Sequence, residues 1–366
     1  MAGRVHEIRI DKSRPMIEQP GTGHNRWHPR VPPNLRLDPG DEAVLEGYDG
    51  SDGQIKWGTT PEQFQAIAYG PIHPLTGPVW VNGAQEGDLL EVQILDVIPD
   101  TYAWSGIMPG FGFLRDRYSE PFVVHWRLEG GFATSDEIPG VRIPEASFPG
   151  VIGVAPSMDL LRRATAREQK AADDGAIVIL PTPEGAVPGN EPIASEGLRT
   201  MPPRENGGNL DTKDLVKGTT VYFPVWTEGA LFSIGDGHFA QGDGESCGIA
   251  IEMAATFHLR FELHKGAARE RNIRGTQYLR RVPAVAREYY CTTGHSVRED
   301  DVQVAESANV AAYNALVAMV EHLQWRGFTR EQAYVLCGAA VDLKLSEVVG
   351  LPNLTVSAFV PTDIFV

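Results

Sequence analysis

Apolar and polar positions alternate over several short stretches of the chain, and this two-residue period predicts strands. Leu90, Val92 and Ile94 alternate with Glu91 and Gln93. The alternation predicts a hairpin in which VWV turns through NGAQEGD onto LLEVQILDVI. Residues 254–263 (AATFHLRFEL) alternate in the same way and put Thr256, His258, Arg260 and Glu262 on one half-exposed face. VYFPVW (221–226), VIGV and the late LTVSAFV read as further strands, the last of them closing the sheet system. Helical spacing is confined to a few places. Ala308, Ala311, Ala312, Ala315, Leu316, Met319 and Leu323 form an apolar stripe within 302–325. Thr329 and Gln332 make a capping box that opens EQAYVLCGAAV. Ser157 is an N-cap for a helix that carries Met158, Leu160, Leu161 and Ala164 on one side and a basic, solvated face on the other. Between these elements, 181–212 is rich in Pro, Gly, Asn and Glu and reads as a long irregular connection. The pattern is that of a mainly β protein with added helices.

Composition narrows the partners. Forty-eight acids against 32 Lys plus Arg leave a formal charge of −16, which argues against nucleic acid or an anionic membrane surface. No apolar run is long enough to span a membrane, and MAGRVHEIRIDKSR has no apolar signal core. Three widely separated cysteines with no CxxC suit a reducing compartment, so a cytoplasmic protein is expected. The expected organisation is an N-terminal sandwich-like part over 1–155, a helix and irregular connection over 156–218, and a β-rich part with C-terminal helices over 219–366. The three are expected to act as one joined unit.

Candidate chemistry concentrates in 233–252, SIGDGHFAQGDGESCGIAIE. Glycines here let the backbone turn tightly, so Asp236, His238, Gln241, Asp243, Glu245, Cys247 and Glu252 can converge on one centre. Carboxylates around an imidazole can bind a divalent cation. They can equally position a water and move its proton. The same acids could instead be solvated on a surface loop. Elsewhere, His24 and His28 share a side of an extended, proline-punctuated segment, and His73 precedes the expected hairpin. Asp49 ends a short strand, where an acid capping its own turn is the plainer reading. Arg204, Glu205, Asn206, Asn209 and Asp211 fall in the irregular connection. No Ser-His-Asp device is apparent. Cys247 would serve as a nucleophile only with a nearby base and a lowered pKa.

Five segments carry a resemblance in chain order: HNRWHPRVPP, PLTGPVWVNGA, PPRENGGNLD, GDGHFAQGDGESCGIAIEMA, and EQAYVLCGAA with the terminal PTDIFV. Together they resemble the acetamidase/formamidase family of amide hydrolases, closest to its formamidase branch. One departure is SDGQ, where Asp52 stands in place of a more usual glycine. The resemblance implies a β-sandwich-like fold with added α+β elements, and a homo-oligomer (a trimer or a multiple of one). It implies hydrolysis of a small neutral amide, formamide to formate and ammonia. In the mechanism it prompts, Asp49, Asp236 and His238 hold a divalent metal, zinc in the first instance. Glu245 or Glu252 moves the proton, with Asp243 also in a catalytic role. His28, His73, Asn209, Asp211, Gln241 and Cys247 contact substrate or support the ligands. Two other readings stay open: a sister enzyme acting on acetamide or a small lactam, and a non-catalytic cation- or carbohydrate-binding sandwich. A wall with little room beside the carbonyl would favour formamide.

Overall fold

The computed structural model describes residues 3–280, 287–348 and 352–366. Alternating burial builds its frame. In the strand Glu252–His264, the side chains of Met253, Ala255, Phe257, Leu259 and Phe261 are buried, while Thr256, His258 and Arg260 between them are half-exposed. His258 and Arg260 use that outer face to bind Glu42 on the neighbouring strand Glu42–Gly47. The long strand Leu89–Ile107 pairs antiparallel along the other side of Glu252–His264.

From this centre the sheet runs outward in both directions through antiparallel neighbours. Phe122–Glu129 pairs with the end of Leu89–Ile107. On the other flank Glu252–His264 is followed by Phe232–His238, then Phe148–Gly153, then Gly207–Asn209. The result is one branched sheet of fifteen strands. Its core draws Leu45 and Val79 from the first part of the chain, Leu215 from the middle, and Phe257 and Leu336 from the last. The fold is mainly β, as the alternation implies.

Three local expectations need correcting. The segment Leu75–Val81 does not form a hairpin with Leu89–Ile107. It pairs antiparallel with Phe232–His238 and parallel with Leu35–Leu37. Seven residues separate the two strands, too many for the two-residue turn that locks adjacent strands together. The late strand Thr355–Pro361 lies in a separate three-stranded sheet between Tyr289–His295 and Asp342–Glu347 rather than closing the main one. The helical stripe begins at Ala308, with the Ser307 side chain accepting from Val310 N, and 302–307 stays outside it.

The helix Met158–Asp173 begins as expected, with Ser157 accepting from Leu160 N at 3.1 Å. Its outer face is not merely solvated. Glu168 binds Arg204 in a two-pronged ion pair at 2.6 and 2.8 Å, and Arg167 binds Glu205 at 2.6 Å. Asn206 donates to the Val154 carbonyl at 2.7 Å. Arg204, Glu205 and Asn206 thus fasten the irregular connection to the helix and sheet, and their side chains do not reach the site described next.

Candidate active site

The site starts from strand periodicity. Positions two apart on a strand face the same way, so Phe232–His238 presents Asp236 and His238 together. Antiparallel register sets Glu252 directly opposite His238. These three side chains are buried, at 3%, 1% and 5% exposure. His238 Nε2 lies 3.4 Å from Asp236 Oδ2 and 3.3 Å from Glu252 Oε2. The Phe148 ring meets the imidazole edge-on at 5.0 Å.

The tautomer of His238 follows from its neighbours. Gln241 Nε2 donates to the Asp211 backbone carbonyl at 2.6 Å, a group that can only accept. Gln241 Oε1 therefore faces His238 Nδ1 at 2.9 Å, and Nδ1 carries the hydrogen. In the neutral ring this turns the Nε2 lone pair toward two carboxylates. That arrangement is repulsive unless a proton or a cation stands between them. His238 Nε2 and Asp236 Oδ1 are both buried without a hydrogen-bond partner in this arrangement, as are Asp211 Oδ1 and Asn209 Oδ1.

Two groups of side chains could hold a metal ion, Asp236–His238–Glu252 and Asp211–His238–Glu245. Within each, the ligand atoms lie within 4.8 Å of one another. Both share His238, whose Nδ1 is already engaged, so an ion at this histidine sits on the Nε2 side. Carboxylate and imidazole donors with orphaned buried atoms fit a divalent cation.

Charge in the cluster is strongly coupled. Burial opposes ionisation of Asp236, but the imidazoles of His73 and His238 outweigh it and hold its carboxyl below the usual range. Burial also pushes Glu245 and Glu252 up to about 8, and raises Asp211 well above an ordinary aspartate. His238 would lose its proton through burial, but Glu252 and Asp236 reverse that and raise it. Three of these acids also sit on strained backbone: Asp211, Asp236 and Glu245 have φ of +42°, +55° and +42°. Such non-glycine residues cost about 1–3 kcal/mol each and cluster at functional sites.

Glycine is required where the neighbouring backbone approaches. A Cβ on Gly150 would stand 2.7 Å from Asp236 Oδ2 and from His238 Nε2. A Cβ on Gly50 would collide with Asp236 Oδ1. Asp49 serves this second approach. Its Oδ1 accepts from Ser51 N at 2.8 Å and from Trp104 Nε1 at 3.3 Å, fixing the turn that carries Gly50. Asp49 is buried beside the cluster but belongs to neither metal-capable group.

Above the cluster opens a cavity of about 400 Å³. His73, Asn209, Asp211, Asp236, Glu245 and Glu252 line it. Four other candidates face elsewhere. Asp243 points at Lys213, 3.8 Å away, and its backbone N–H binds Asp342. Cys247 is buried, its Sγ donating to the Ile249 carbonyl, and burial pushes its thiol up to about 12, which removes the thiolate a nucleophile needs. His28 accepts from Arg30 N at 3.0 Å, and His24 meets Ser233 Oγ at 2.8 Å. Neither lines the cavity. Residues that motif reading missed include Trp104, Met108 and the run Ile177–Val178–Ile179 on the cavity wall. Three consecutive β-branched residues directly after a polar helix were the available signal.

A mainly β scaffold that buries an acid–imidazole cluster at the base of an open-mouthed cavity fits a hydrolase-type site better than a shallow binding face. The chain belongs to the acetamidase/formamidase family, whose profile matches residues 9–366. It is 37% identical to an acetamidase of Mycolicibacterium smegmatis, over 90% of this chain and 88% of that protein. It is 36% identical to a formamidase of Methylophilus methylotrophus, over 98% and 93%. Its fold is similar to that of the gamma lactamase from Delftia acidovorans, with a TM-score of 0.94, 35% identity, and coverage of 98% of this chain and 93% of that one.

Proposed function

We propose that this protein hydrolyses the C–N bond of linear amides, with formamide as the smallest member of the class. The observation that carries the reading is His238 Nε2, turned toward two buried carboxylates at the base of a substrate-sized cavity. Relatives named formamidase and acetamidase support it.

Amide resonance must be overcome by polarising the carbonyl oxygen, activating water and protonating the departing nitrogen. In this reading Asp236, His238 and Glu252 hold a divalent cation, zinc by its affinity for imidazole and carboxylate. When bound, that ion supplies Lewis-acid polarisation of the amide and activation of water. Gln241 holds the His238 ring by its Nδ1–H. Glu245 lines the cavity beside His238 and is the proton carrier of this reading. It takes the proton of the attacking water and passes it to the leaving nitrogen. Asp211 shares its pocket and Asn209 orients Asp211, its Nδ2 donating to the carboxylate. His73 faces the same space and contacts the bound amide. Asp49 keeps the turn shape that admits Asp236. Family likeness supports a homo-oligomer, a trimer or a multiple of one. All three cysteines are free, which supports a cytoplasmic setting. Among the described residues no helix is long and apolar enough to cross a membrane.

A sister activity on acetamide or a lactam is favoured by the likeness to the gamma lactamase. Ammonia release from formamide, acetamide and propionamide tests the reading. Ammonia from at least one of them is expected. A purified, folded protein that releases ammonia from none of them and opens no small lactam would instead be a cation- or carbohydrate-binding module.

A further inference from the structure

The cavity is larger and greasier than formamide needs. Its volume is about 400 Å³, whereas a cavity of about 150 Å³ is enough to take up benzene. The polar groups named above gather at the His238 end. The rest of the wall is dominated by Phe64, Ile72, Trp104, Met108, Phe111 and Val178. These come from separated parts of the chain. Phe64 lies on the short helix Pro61–Gln65, Trp104 on the strand Leu89–Ile107, and Val178 in the segment after Met158–Asp173.

The rim carries a second, independent observation. Tyr69, Phe111 and Ile177 are exposed large hydrophobics, at 44%, 41% and 76%, and all three line this same cavity. Apolar side chains left at the mouth of a concave apolar site gain burial only when something covers them. Formamide has no carbon beyond its carbonyl, so it cannot displace water from these walls. An amide with a ring can.

Resting on the amidase reading above, the geometry points to a substrate class: open-chain primary carboxamides whose carbonyl carbon carries an apolar group of at least benzene size. The polar end takes the amide, and the apolar wall takes the group attached to the carbonyl carbon. The reaction stays a hydrolysis. The water oxygen bonds to the carbonyl carbon, the C–N bond breaks, the nitrogen leaves with a proton from the water, and a carboxylic acid and ammonia result. No oxidant or reductant takes part.

The test is kcat/KM for the metal-loaded protein on formamide, acetamide, butyramide, cyclohexanecarboxamide and benzamide, read by ammonia release. Each buried methylene is expected to raise the value about fourfold. By the same increment the six-carbon ring amides should exceed formamide by on the order of 1000-fold. A series that is flat or falls beyond acetamide, with ammonia still released, overturns this inference and leaves the amidase reading standing. Ammonia from none of them overturns the amidase reading itself. The Val178→Asp variant gives a second readout. Its ratio of benzamide to formamide kcat/KM should fall about tenfold, and an unchanged ratio overturns the inference.

Discussion

Asp236 and His238 were legible as converging candidates on a glycine-turned loop; the structure instead sets them two residues apart on a strand. Glu252 was legible as a candidate, but not as the residue facing His238, because that depends on cross-strand register. Gln241, Asn209, Asp211, His73 and Glu245 also come together around the same ring. Asp243 does not, although it sits in the same glycine-spaced run. It lies between Gly242 and Gly244, where the chain turns its side chain toward Lys213. Type and spacing identify which side chains can do chemistry; which way a turn aims them depends on what lies across it. Gln241 matters here through another residue. The Gln241→Leu variant removes the acceptor that fixes the His238 tautomer. It should lose about 10–100-fold in kcat/KM and bind zinc more weakly. Unaltered zinc affinity together with unaltered kinetics would show that the ring is held by something else.

At the level of elements, local signals held and non-local ones did not. The Thr329 capping box and the Ser157 cap are formed as expected, since each depends on residues within one turn. The expected hairpin between Leu75–Val81 and the strand from Leu89 failed because each segment found partners far along the chain. Nothing in either stretch encodes that choice. The strand Phe148–Gly153 shows how one element shapes the site without contributing a functional group. It pairs with Phe232–His238 and brings Gly150 beneath Asp236 and His238. Gly150→Ala puts a methyl 2.7 Å from both side chains. Overpacking of this kind costs typically about 1–3 kcal/mol. Activity should fall by at least about 100-fold, since misplacement of about 1 Å can cost that much. A variant whose thermal midpoint and activity both match the parent would show that the approach is loose.

Across the whole molecule, no segment builds the site alone. His73 comes from the first part of the chain, Asp211 from the irregular connection, and Asp236, His238 and Glu252 from the last. Strands from all three parts interleave in one sheet. The mainly β character was legible from alternation, and the family from ordered motifs. The interleaving was not, because it is fixed by pairings between distant segments, such as Glu42 with Arg260 and Val79 with Phe232. The deepest commitment is that a metal cation, rather than a proton alone, stands against His238 Nε2 between the two carboxylates. The direct measurement is ammonia release by chelator-stripped protein titrated with zinc, with metal content read alongside. The account predicts negligible activity in the stripped protein, restored at about one equivalent per chain, and no restoration in His238→Ala. Full turnover by metal-free protein would contradict it.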